Sequence, residues 1–315
     1  MTDNNLKHEN ISLTYRLGEI HLFEKRFSGV IHDDHFTTMD PFSKFPTPTC
    51  EPGIKPDVLL YPVYPIAFEP PPIVLKKGWI IYTPQVFRNF YIDLTRYETF
   101  DDYCQQFSSK SRSTLRRKVK KFREAENGQL DWREFKKPNE IEYFFSLACQ
   151  ISEKTYQERL FKSGLPCSDN FISEAKALSE SESVRGYILS RQGNPVAYIF
   201  CFCKKGIASY DYVGHDPVVE SMSPGTVLQF LVIQTLFEQR AIRIFDFTEG
   251  EGPHKSLFST DQQRCAKTYF FSKTFKNFLL IFFHYSLNCC VQSIGNLLKK
   301  FGIKAKVRRI IRRNF

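Results

Sequence analysis

The segment IASYDYV at residues 207–213 is followed by SPGT at residues 223–226 and by IRIFDFT at residues 242–248. The first and third segments are predicted strands, and the apolar run that begins at SPGT is a predicted helix. A strand, a crossover helix and a strand form a βαβ unit, so the two strands are predicted to be parallel neighbours. Ligands bind such units at the carboxyl ends of the strands and at the amino end of the helix.

The four residues that open this helix have the features of an anion site. Ser223 is a good N-cap residue, and Pro224 suits the first helical position because its missing N–H would be unpaired there. Gly225 lets another group approach the backbone closely, and Thr226 completes the turn. The free N–H groups and the helix dipole would hold a pyrophosphate. An ordinary, well-capped helix start is the other interpretation.

Three strands are predicted before the helix. VRGYILS (residues 184–190), PVAYIFCFC (residues 195–203) and IASYDYV are separated by short turns that contain Gly or Asn, which is a good signal of β-hairpins. We therefore expect an α+β fold with a mixed, mainly antiparallel sheet, one β-α-β crossover and flanking helices.

Helices and one further strand are predicted upstream of the three strands. The first helix starts at Ser108, repeats apolar residues at Leu115, Val119 and Phe122, and ends at Asn127-Gly128. The strand QLDWREF follows. The next helix is predicted to be capped by Asn139, and a third covers residues 170–178. The predicted buried stripe of the second helix is Ile141, Phe144, Phe145, Ala148 and Ile151.

These segments resemble the acyl-CoA N-acyltransferases of the GNAT superfamily. The closer resemblance is to the branch of CelD-type proteins, also called BioF2-like acetyltransferase domains. That branch pairs a basic helix, here FSSKSRSTLRRKVKKF (residues 107–122), with an aromatic-Asp-aromatic strand, a glycine and a terminal lysine, here FDFTEGEGPHK (residues 245–255). The resemblance covers about residues 93–273 and implies a GNAT fold.

The chain departs from the family pattern at two places. The branch often has Tyr before the terminal lysine, whereas this chain has His254. The usual pyrophosphate signature, Arg/Gln-x-x-Gly-x-Gly/Ala, is absent, and SPGT stands in its place. The co-substrate, acetyl-CoA or a longer acyl-CoA, is therefore implied by the resemblance and not by a motif.

The positive charge of the chain is concentrated near its end. The formal net charge is +10 over 315 residues, and the segment 299–313 supplies most of it without any acid. Because the rest is nearly balanced, no sequence-specific nucleic-acid partner is predicted. Peripheral contact of this tail with an anionic membrane is one expectation, and a helix docked on the core with a solvated tail is the other. The basic residues are Lys299, Lys300, Lys304, Lys306, Arg308, Arg309, Arg312 and Arg313.

The cysteines are expected to be reduced and buried. Nine are present, with no C-x-x-C pair, which indicates neither a metal site nor a secreted disulfide framework. The polar N-terminus lacks an apolar signal core. The longest apolar run, residues 278–285, is too short to span a bilayer. We therefore expect a cytoplasmic protein. If the basic tail binds the inner membrane, the protein would be peripheral to that membrane.

Three segments are predicted along the chain. Residues 1–92 form an irregular proline-rich lobe with short edge strands, because eleven of the 17 prolines lie between Pro41 and Pro84. The alternative interpretation, a disordered leader, fits residues 1–35 better than it fits the aromatic part of this segment. Residues 93–273 form the GNAT-like domain, and the part of this domain after Lys267 is predicted to be its closing strand. Residues 274–315 form an amphipathic helix with the basic tail.

Carboxylates near the ends of the central strands are the candidate catalytic bases. Asp211, Asp246 and Glu249 lie in or just after the two parallel strands, and an unpaired acid in an aromatic setting has a raised pKa. Tyr212 would protonate a leaving thiolate. Each of these residues could instead have a purely structural role. Asp246 could be paired with Lys255 or an arginine, and Asp211 could be paired across strands. Tyr212 could lie in the core or at its rim. His215 and His254 are further bases or simply polar surface.

The candidate substrate-binding residues are basic or lie near an expected acceptor pocket. Lys255 matches the family lysine and would bind phosphate or an acceptor carboxylate. Arg112 and Arg116 share a helix face and would grip an anion, although a solvated basic face is the alternative. Tyr156 and Arg159 would lie near the acceptor if the GNAT arrangement holds.

The resemblance, together with these candidate residues, implies an enzyme that transfers an acetyl or other acyl group from acyl-CoA to an amine, with no metal. The resemblance implies an acceptor that is a small molecule or a sugar, such as a precursor in polysaccharide or cell-envelope biosynthesis. Two rivals remain: a Fem-like transferase that uses aminoacyl-tRNA, and a non-catalytic GNAT-fold module at a membrane surface.

Overall fold

The computed structural model describes residues 6–17, 20–32, 34–46, 56–76, 78–155, 164–250 and 252–300. The chain divides into unit 1 (Met1–Arg88 with Gln263–Phe315) and unit 2 (Asn89–Gln262). The strands are β1 (Leu6–Leu17), β2 (Ile20–His32), β3 (Val58–Pro65), β4 (Ile73–Lys76), β5 (Trp79–Asp93), β6 (Trp132–Phe135), β7 (Val184–Arg191), β8 (Asn194–Lys204), β9 (Ile207–His215), β10 (Ile244–Asp246) and β11 (Asp261–Ser272). The helices are α1 (Phe100–Cys104), α2 (Ser109–Glu124), α3 (Pro138–Ser152), α4 (Asp169–Ser179), α5 (Pro224–Gln239), α6 (Pro253–Phe258) and α7 (Phe275–Lys300).

The division into units differs from the three segments expected from the sequence. The segments before residue 89 and after residue 262 belong to the same unit. Strand β11, which was expected to close the central domain, pairs antiparallel with β3 of unit 1. Pairing between strands some 200 residues apart leaves no local signal in the sequence, because its register depends on the partner strand.

Unit 1 contains long strands, so the prediction of an irregular lobe with short edge strands was wrong. Strands β1 and β2 form an antiparallel hairpin within the segment that was expected to be a disordered leader. Strand β2 pairs parallel with β3, and β4 pairs antiparallel with β5. The prolines are compatible with this because most lie between strands, while Pro62 lies where the β3–β11 register shifts.

Helix α7 packs on unit 1 through specific hydrogen bonds. Tyr82 Oη and His284 Nδ1 are 2.5 Å apart, and His284 Nε2 lies 3.1 Å from the carbonyl oxygen of Thr14. Tyr15 Oη donates to the carbonyl of Leu280 at 3.0 Å. The predicted helix after the closing strand is thus confirmed. It is longer than the apolar run of residues 278–285 suggested: Phe275–Gly295 has the length and a mean hydropathy, 1.4, that would allow it to cross a membrane.

Unit 2 has the predicted topology. Strands β7, β8 and β9 form the antiparallel meander, with β6 added to β7. Strand β10 pairs parallel with β9, which confirms the βαβ unit. Residues 91–93 of β5 then pair antiparallel with β10. The sheet is mixed and mainly antiparallel, as predicted, although β10 is shorter than the predicted strand at residues 242–248.

Two apolar layers cover the two faces of this sheet. On β8, Ala197, Ile199 and Cys201 pack in the layer of α1, α2 and α5, whereas Tyr198 and Phe200 pack in the layer of α3 and α4. Side chains that alternate along a strand point to opposite faces, so every β8 residue in this run is buried. The predicted stripe of α3 is buried in these layers, and in the predicted stripe of α2, Leu115 and Phe122 are buried while Val119 is partly buried.

Helix α3 begins earlier than predicted. Its N-cap is Lys137 and its first residue is Pro138, so Asn139 lies inside the helix instead of capping it. The Oε2 atom of Glu140 accepts hydrogen bonds from the backbone N–H groups of Lys136 and Lys137, both at 3.1 Å. The proline and this glutamate together satisfy the helix start without an Asn cap.

The cysteines also differ from the expectation of reduced, buried thiols. Cys149 near the end of α3 forms a disulfide with Cys167, just before α4. Cys290 on α7 is exposed. The disulfide forms because α3 and α4 pack against each other, which the sequence spacing does not indicate. Cys201 and Cys203 are free and buried, as predicted.

Candidate active site

The central feature of unit 2 is the point where its two parallel strands separate. Residues 207–209 of β9 pair with residues 244–246 of β10, and the pairing ends at Ser209 and Asp246. Strand β9 continues to His215 alongside β8 alone. Its other edge therefore has no neighbouring strand beyond Ser209 within the part of the chain that the structure describes. An uncovered strand edge inside a protein is a site where a ligand's amides can bind.

A β-bulge lies at the start of this separation. On β8, Phe200 pairs with Tyr212 and Cys201 pairs with Tyr210, so Asp211 is the extra residue of β9. A bulge re-aims the side chain of its extra residue and is common beside active sites. Asp211 is thereby taken out of the regular alternation of the strand.

Asp211 has the electrostatic setting of a base that works near neutral pH. Desolvation by the surrounding protein raises the pKa of its carboxyl to about 7, and the negative charge of Asp246 contributes in the same direction. A 3.3 Å hydrogen bond from the backbone N–H of Phe202 to Oδ2 acts against this rise. Asp211 as a whole residue is nevertheless exposed, so a substrate proton can reach its side chain.

Asp246 is held differently, by two short hydrogen bonds at a buried position. Its Oδ1 atom accepts from Asn89 Nδ2 at 2.5 Å and from the backbone N–H of Thr248 at 2.8 Å. Asn89 itself is fully buried on β5. Asp246 therefore occupies a constrained position between β5 and the turn that follows β10.

The turn after β10 brings Glu249 and Lys255 together. Lys255 Nζ donates to the carbonyl of Glu249 at 2.8 Å and lies 3.4 Å from the carbonyl of Thr248. Desolvation lowers the pKa of Lys255, while the charges of Asp246 and Glu249 act to raise it. Asp246 thus acts on Lys255 through its charge, while Lys255 donates its hydrogen bonds to backbone carbonyls.

His254 lies beside this group, with its ring 6.5 Å from that of Tyr210 between centroids. Desolvation lowers the pKa of His254, and the charge of Lys255 lowers it further. The imidazole is therefore favoured in its neutral form near neutral pH, in which one ring nitrogen accepts a proton.

Tyr212 and Tyr210 point into opposite layers. The ring of Tyr212 packs edge-on against Phe171 at 5.7 Å in the layer of α3 and α4. Burial, followed by the charge of Asp211, raises the pKa of its hydroxyl. Tyr210 lies in the other layer, where its hydroxyl donates to Gln229 Oε1 at 3.3 Å.

The SPGT turn lies at the start of α5, but Ser223 does not cap it as predicted. Ser223 adopts a left-handed conformation (φ 55°, ψ 49°), and its side chain makes no capping hydrogen bond. The first-turn N–H groups of Gly225 and Thr226 are thus left for another acceptor. Lys118 from α2 reaches this turn, with its Nζ 3.5 Å from Thr226 Oγ1. A Cβ added at Gly225 would meet only His215 Nδ1, at 3.6 Å.

The two predicted arginines of α2 have different surroundings. Arg112 donates to the carbonyls of Phe107 at 2.9 Å and Gln105 at 3.2 Å, which anchors the end of α1. Arg116 is exposed. Tyr156 and Arg159 lie outside the described residues. Lys118, which the structure brings to the SPGT turn, was not singled out from the sequence, although its basic helix was.

The groups gathered at the strand separation support proton transfer, and those at the helix start support anion binding. No group of three or more His, Cys, Asp or Glu side chains that could hold a metal ion occurs among the described residues. Sequence reasoning missed Asn89 and Gln229. The signal that could have identified them is a single amide side chain within an otherwise apolar strand or helix. Such a side chain is buried and needs a hydrogen-bond partner.

Comparison with known proteins agrees with this topology. The family model described as Acetyltransferase (GNAT) domain matches residues 109–256. No curated protein sequence matches the chain.

Solved structures with detectable similarity include three proteins at low identity. A conserved protein of unknown function from Bacteroides thetaiotaomicron VPI-5482 is 13% identical, with a TM-score of 0.43 over 63% of this chain and 64% of that one. The C-terminal domain of a putative lysylphosphatidylglycerol synthetase from Agrobacterium fabrum is 12% identical, with a TM-score of 0.46 over 67% and 66%. FemX is 9% identical, with a TM-score of 0.42 over 66% of each chain.

The chain thus spans slightly less than two thirds of the length of these proteins. Similarities at this level carry no conclusion about its activity. The family match stands on its own, and it covers the βαβ unit, the bulge at Asp211 and the basic helix α2. Residues 109–256 of this chain match the model of the acetyltransferase (GNAT) domain, and unit 2 has a GNAT-like fold.

Proposed function

We propose that this protein is an N-acyltransferase that moves an acyl group from acyl-CoA to a primary amine. The observation that carries the proposal is the separation of β9 from β10 at the bulge that presents Asp211. This opening provides, within one domain, an uncovered strand edge, an exposed aspartate with a pKa of about 7 and a helix start free of side-chain capping.

The donor would lie along β9. Its pyrophosphate would bind the N–H groups of Gly225 and Thr226, with Lys118 adding a positive charge. His215, beside Gly225, is separated from Asp211 by about 13 Å of strand at 3.3 Å per residue. An extended pantetheine arm would bridge this distance with its amides on the strand edge, and a β9 backbone N–H would polarise the thioester carbonyl.

The chemistry would be direct attack. The amine nitrogen bonds to the thioester carbon, its proton passes to Asp211 Oδ, and the C–S bond breaks to release the thiolate, which then takes a proton. Asp246 is buried and doubly hydrogen-bonded, so its role would be to raise the pKa of Asp211. Glu249 and His254 are the other candidate bases, and Tyr212 is the candidate donor to the thiolate.

The acceptor class comes from the resemblance to CelD-type proteins. An amino sugar or another amine-bearing precursor of polysaccharide or envelope synthesis would fit, with the enzyme in the cytoplasm. Lys255 would contact an anionic group of the acceptor or of the donor. No described contact selects among these acceptors.

The proposal is tested by calorimetric titration of the full chain with acetyl-CoA and with a longer acyl-CoA. Gly225→Glu is the informative variant: the site has room for its Cβ, so the fold should persist while a carboxylate enters the anion site. Gly295→Glu, at a helical glycine with open space around it, is the matched control. We expect micromolar binding that Gly225→Glu abolishes and Gly295→Glu leaves unchanged.

Absence of binding by the folded wild-type protein would contradict the acyl-CoA proposal. The next assay would then be transfer from aminoacyl-tRNA, for which the exposed basic face of α2 offers a surface. Failure of both assays would favour a non-catalytic GNAT-fold module.

A further inference from the structure

Helix α7 presents an aromatic surface to solvent. Phe275 is 77% exposed and Phe282 is 54% exposed, and Leu279 and Phe283 are half exposed. Phe278 stacks on Phe282 with ring centroids 6.2 Å apart. Their spacing of three and four residues places them along one face of the helix. Exposed phenylalanines that form a continuous face mark an interaction site, unlike scattered single residues.

The opposite face of α7 is attached to unit 1 and carries both apolar and polar residues. Asn277 and His284 lie there with Ile281, and each polar side chain is hydrogen-bonded within unit 1. A helix of a water-soluble protein normally buries its apolar face and exposes its polar one. Helix α7 differs because Ile281, Leu280 and Leu287 already pack in the core of unit 1, yet its outward face is apolar as well. This outward face therefore indicates an apolar partner.

The tip of the β1–β2 hairpin continues this surface within unit 1. Leu17, Leu22 and Phe23 are each more than 40% exposed. The ring of Phe23 stacks on that of Phe283, with centroids 6.4 Å apart. We call the exposed residues of α7 and of this tip the apolar face. It consists of Leu17, Leu22, Phe23, Phe275, Phe278, Leu279, Phe282 and Phe283.

Charge in this region has one sign along the chain. No Asp or Glu occurs from residue 262 to residue 315. Lys273 and Lys276 flank the start of the apolar face on α7, and the basic segment 299–313 follows this helix in the sequence. Glu24, near the hairpin tip, is paired with Arg26 at 3.2 Å. An apolar face accompanied by basic residues complements a surface that has anionic groups above hydrocarbon.

We propose that the apolar face docks into the headgroup region of a bilayer that contains anionic lipids, with α7 lying in the membrane plane. The phenylalanines enter the acyl boundary, and Lys273 and Lys276 contact the lipid phosphates. Burial of apolar area and attraction between charges act together, as one alone binds only weakly.

Helix α7 lies on the membrane and does not cross it, because one side of the helix is attached to unit 1. The contacts of His284 with Tyr82 and Thr14, and of Tyr15 with Leu280, would all be lost if α7 were surrounded by lipid. Asn277 and His284 would then lose these partners inside hydrocarbon, which is costly.

The test is co-sedimentation of the full chain with vesicles of phosphatidylcholine alone and of phosphatidylcholine with phosphatidylglycerol. The variants are Phe275→Asp and Phe282→Asp, whose side chains are mostly exposed, so the fold should be unchanged by circular dichroism. Tyr143→Asp, a half-exposed aromatic on α3 outside the apolar face, is the matched control. We expect binding to the anionic vesicles only, weakened about tenfold or more by each phenylalanine variant and by high salt.

Three results would overturn the proposal. If the wild-type protein binds neither kind of vesicle, the apolar face does not dock on membranes. A dimer in light scattering that Phe282→Asp converts to a monomer, without vesicle binding, would assign the apolar face to a second copy of the chain. Membrane association that resists both high salt and alkaline extraction would assign α7 as a spanning helix. None of these outcomes depends on whether the chain binds acyl-CoA.

Discussion

Asn89 and Asp246 form a buried hydrogen bond, with Asn89 Nδ2 2.5 Å from Asp246 Oδ1. The two residues lie on adjacent strands, β5 and β10, although the sequence separates them by 157 positions. Because Asp246 also raises the pKa of Asp211, this bond links the interior of the sheet to the exposed carboxyl. Asn89 is therefore a positioning residue for the candidate site.

Asn89→Ala should lower the free energy of unfolding by about 2 kcal/mol, because hydrogen bonds to charged groups contribute about 1.5–3 kcal/mol and the carboxylate stays buried. Urea unfolding followed by circular dichroism measures the change. Asn10→Ala, at an exposed position of β1, is the control and should change stability by less than about 0.5 kcal/mol. Equal effects of the two variants would show that the Asn89–Asp246 bond contributes nothing.

Asp211 should determine the pH dependence of acyl transfer. With a pKa of about 7, the carboxylate forms as the pH rises through neutrality, so the rate should increase over that range. Asp211→Asn should remove this dependence and lower kcat by roughly 10²- to 10⁴-fold. Asp131→Asn, an exposed acid before β6, is the control. A retained pH dependence in Asp211→Asn would transfer the role of base to Glu249 or His254.

The same shift has a consequence for stability that does not require a substrate. A carboxyl whose pKa is raised in the folded state favours protonated protein, so stability should fall as the pH rises from about 4 to about 7. Asp211→Asn has no such group and should be more stable than the wild type above pH 7, with the difference vanishing near pH 4. Thermal melts across this pH range measure it, and parallel curves for the two proteins would contradict the shift.

Much of unit 2 could be predicted because its signals are local. The alternation on β8 of Ala197, Ile199 and Cys201 with Tyr198 and Phe200 marks a strand buried on both faces, and the turn residues separate it from its neighbours. The βαβ crossover follows from the order of the segments and from the rule that such connections join parallel strands.

What could not be predicted depends on partners distant in sequence. The bulge at Asp211 exists only relative to the register of β8, and the single unpaired residue leaves no compositional mark. The strands of unit 1 were hidden by prolines whose positions between strands or at a register shift become clear only when the pairing is known. At the SPGT turn, the residue types indicated a side-chain cap, but the left-handed Ser223 leaves the turn uncapped.

Two glycines test how closely the α3 side of the sheet is packed. A Cβ at Gly186 on β7 would lie 2.6 Å from Phe144 Cδ2, whereas a Cβ at Gly295 on α7 would meet nothing within 4 Å. Gly186→Ala should therefore destabilise the protein by about 1–3 kcal/mol, because the buried ring must move. Gly295→Ala should stabilise α7 by about 0.5–1 kcal/mol. Urea unfolding compares them, and effects of the same sign would contradict the packing described for Phe144.

The disulfide between Cys149 and Cys167 should stabilise the segment between α3 and α4. It closes a loop with a sequence separation of 18, for which the loss of chain entropy in the unfolded state corresponds to about 3 kcal/mol. Reduction with dithiothreitol, or the double variant Cys149→Ala/Cys167→Ala, should therefore lower the unfolding midpoint in urea. Adding dithiothreitol to the double variant should have no further effect.

Cys104→Ala is the control for the loss of a cysteine, because this thiol is buried and free. It should create a small cavity yet leave the response to dithiothreitol intact, since the bridge is still present. Mass spectrometry of the alkylated wild-type protein provides the direct check, because Cys149 and Cys167 should resist alkylation until they are reduced. Alkylation of both thiols in unreduced, unfolded protein would show that the two cysteines are not bonded, and α3 and α4 would then be held together by their apolar contacts alone.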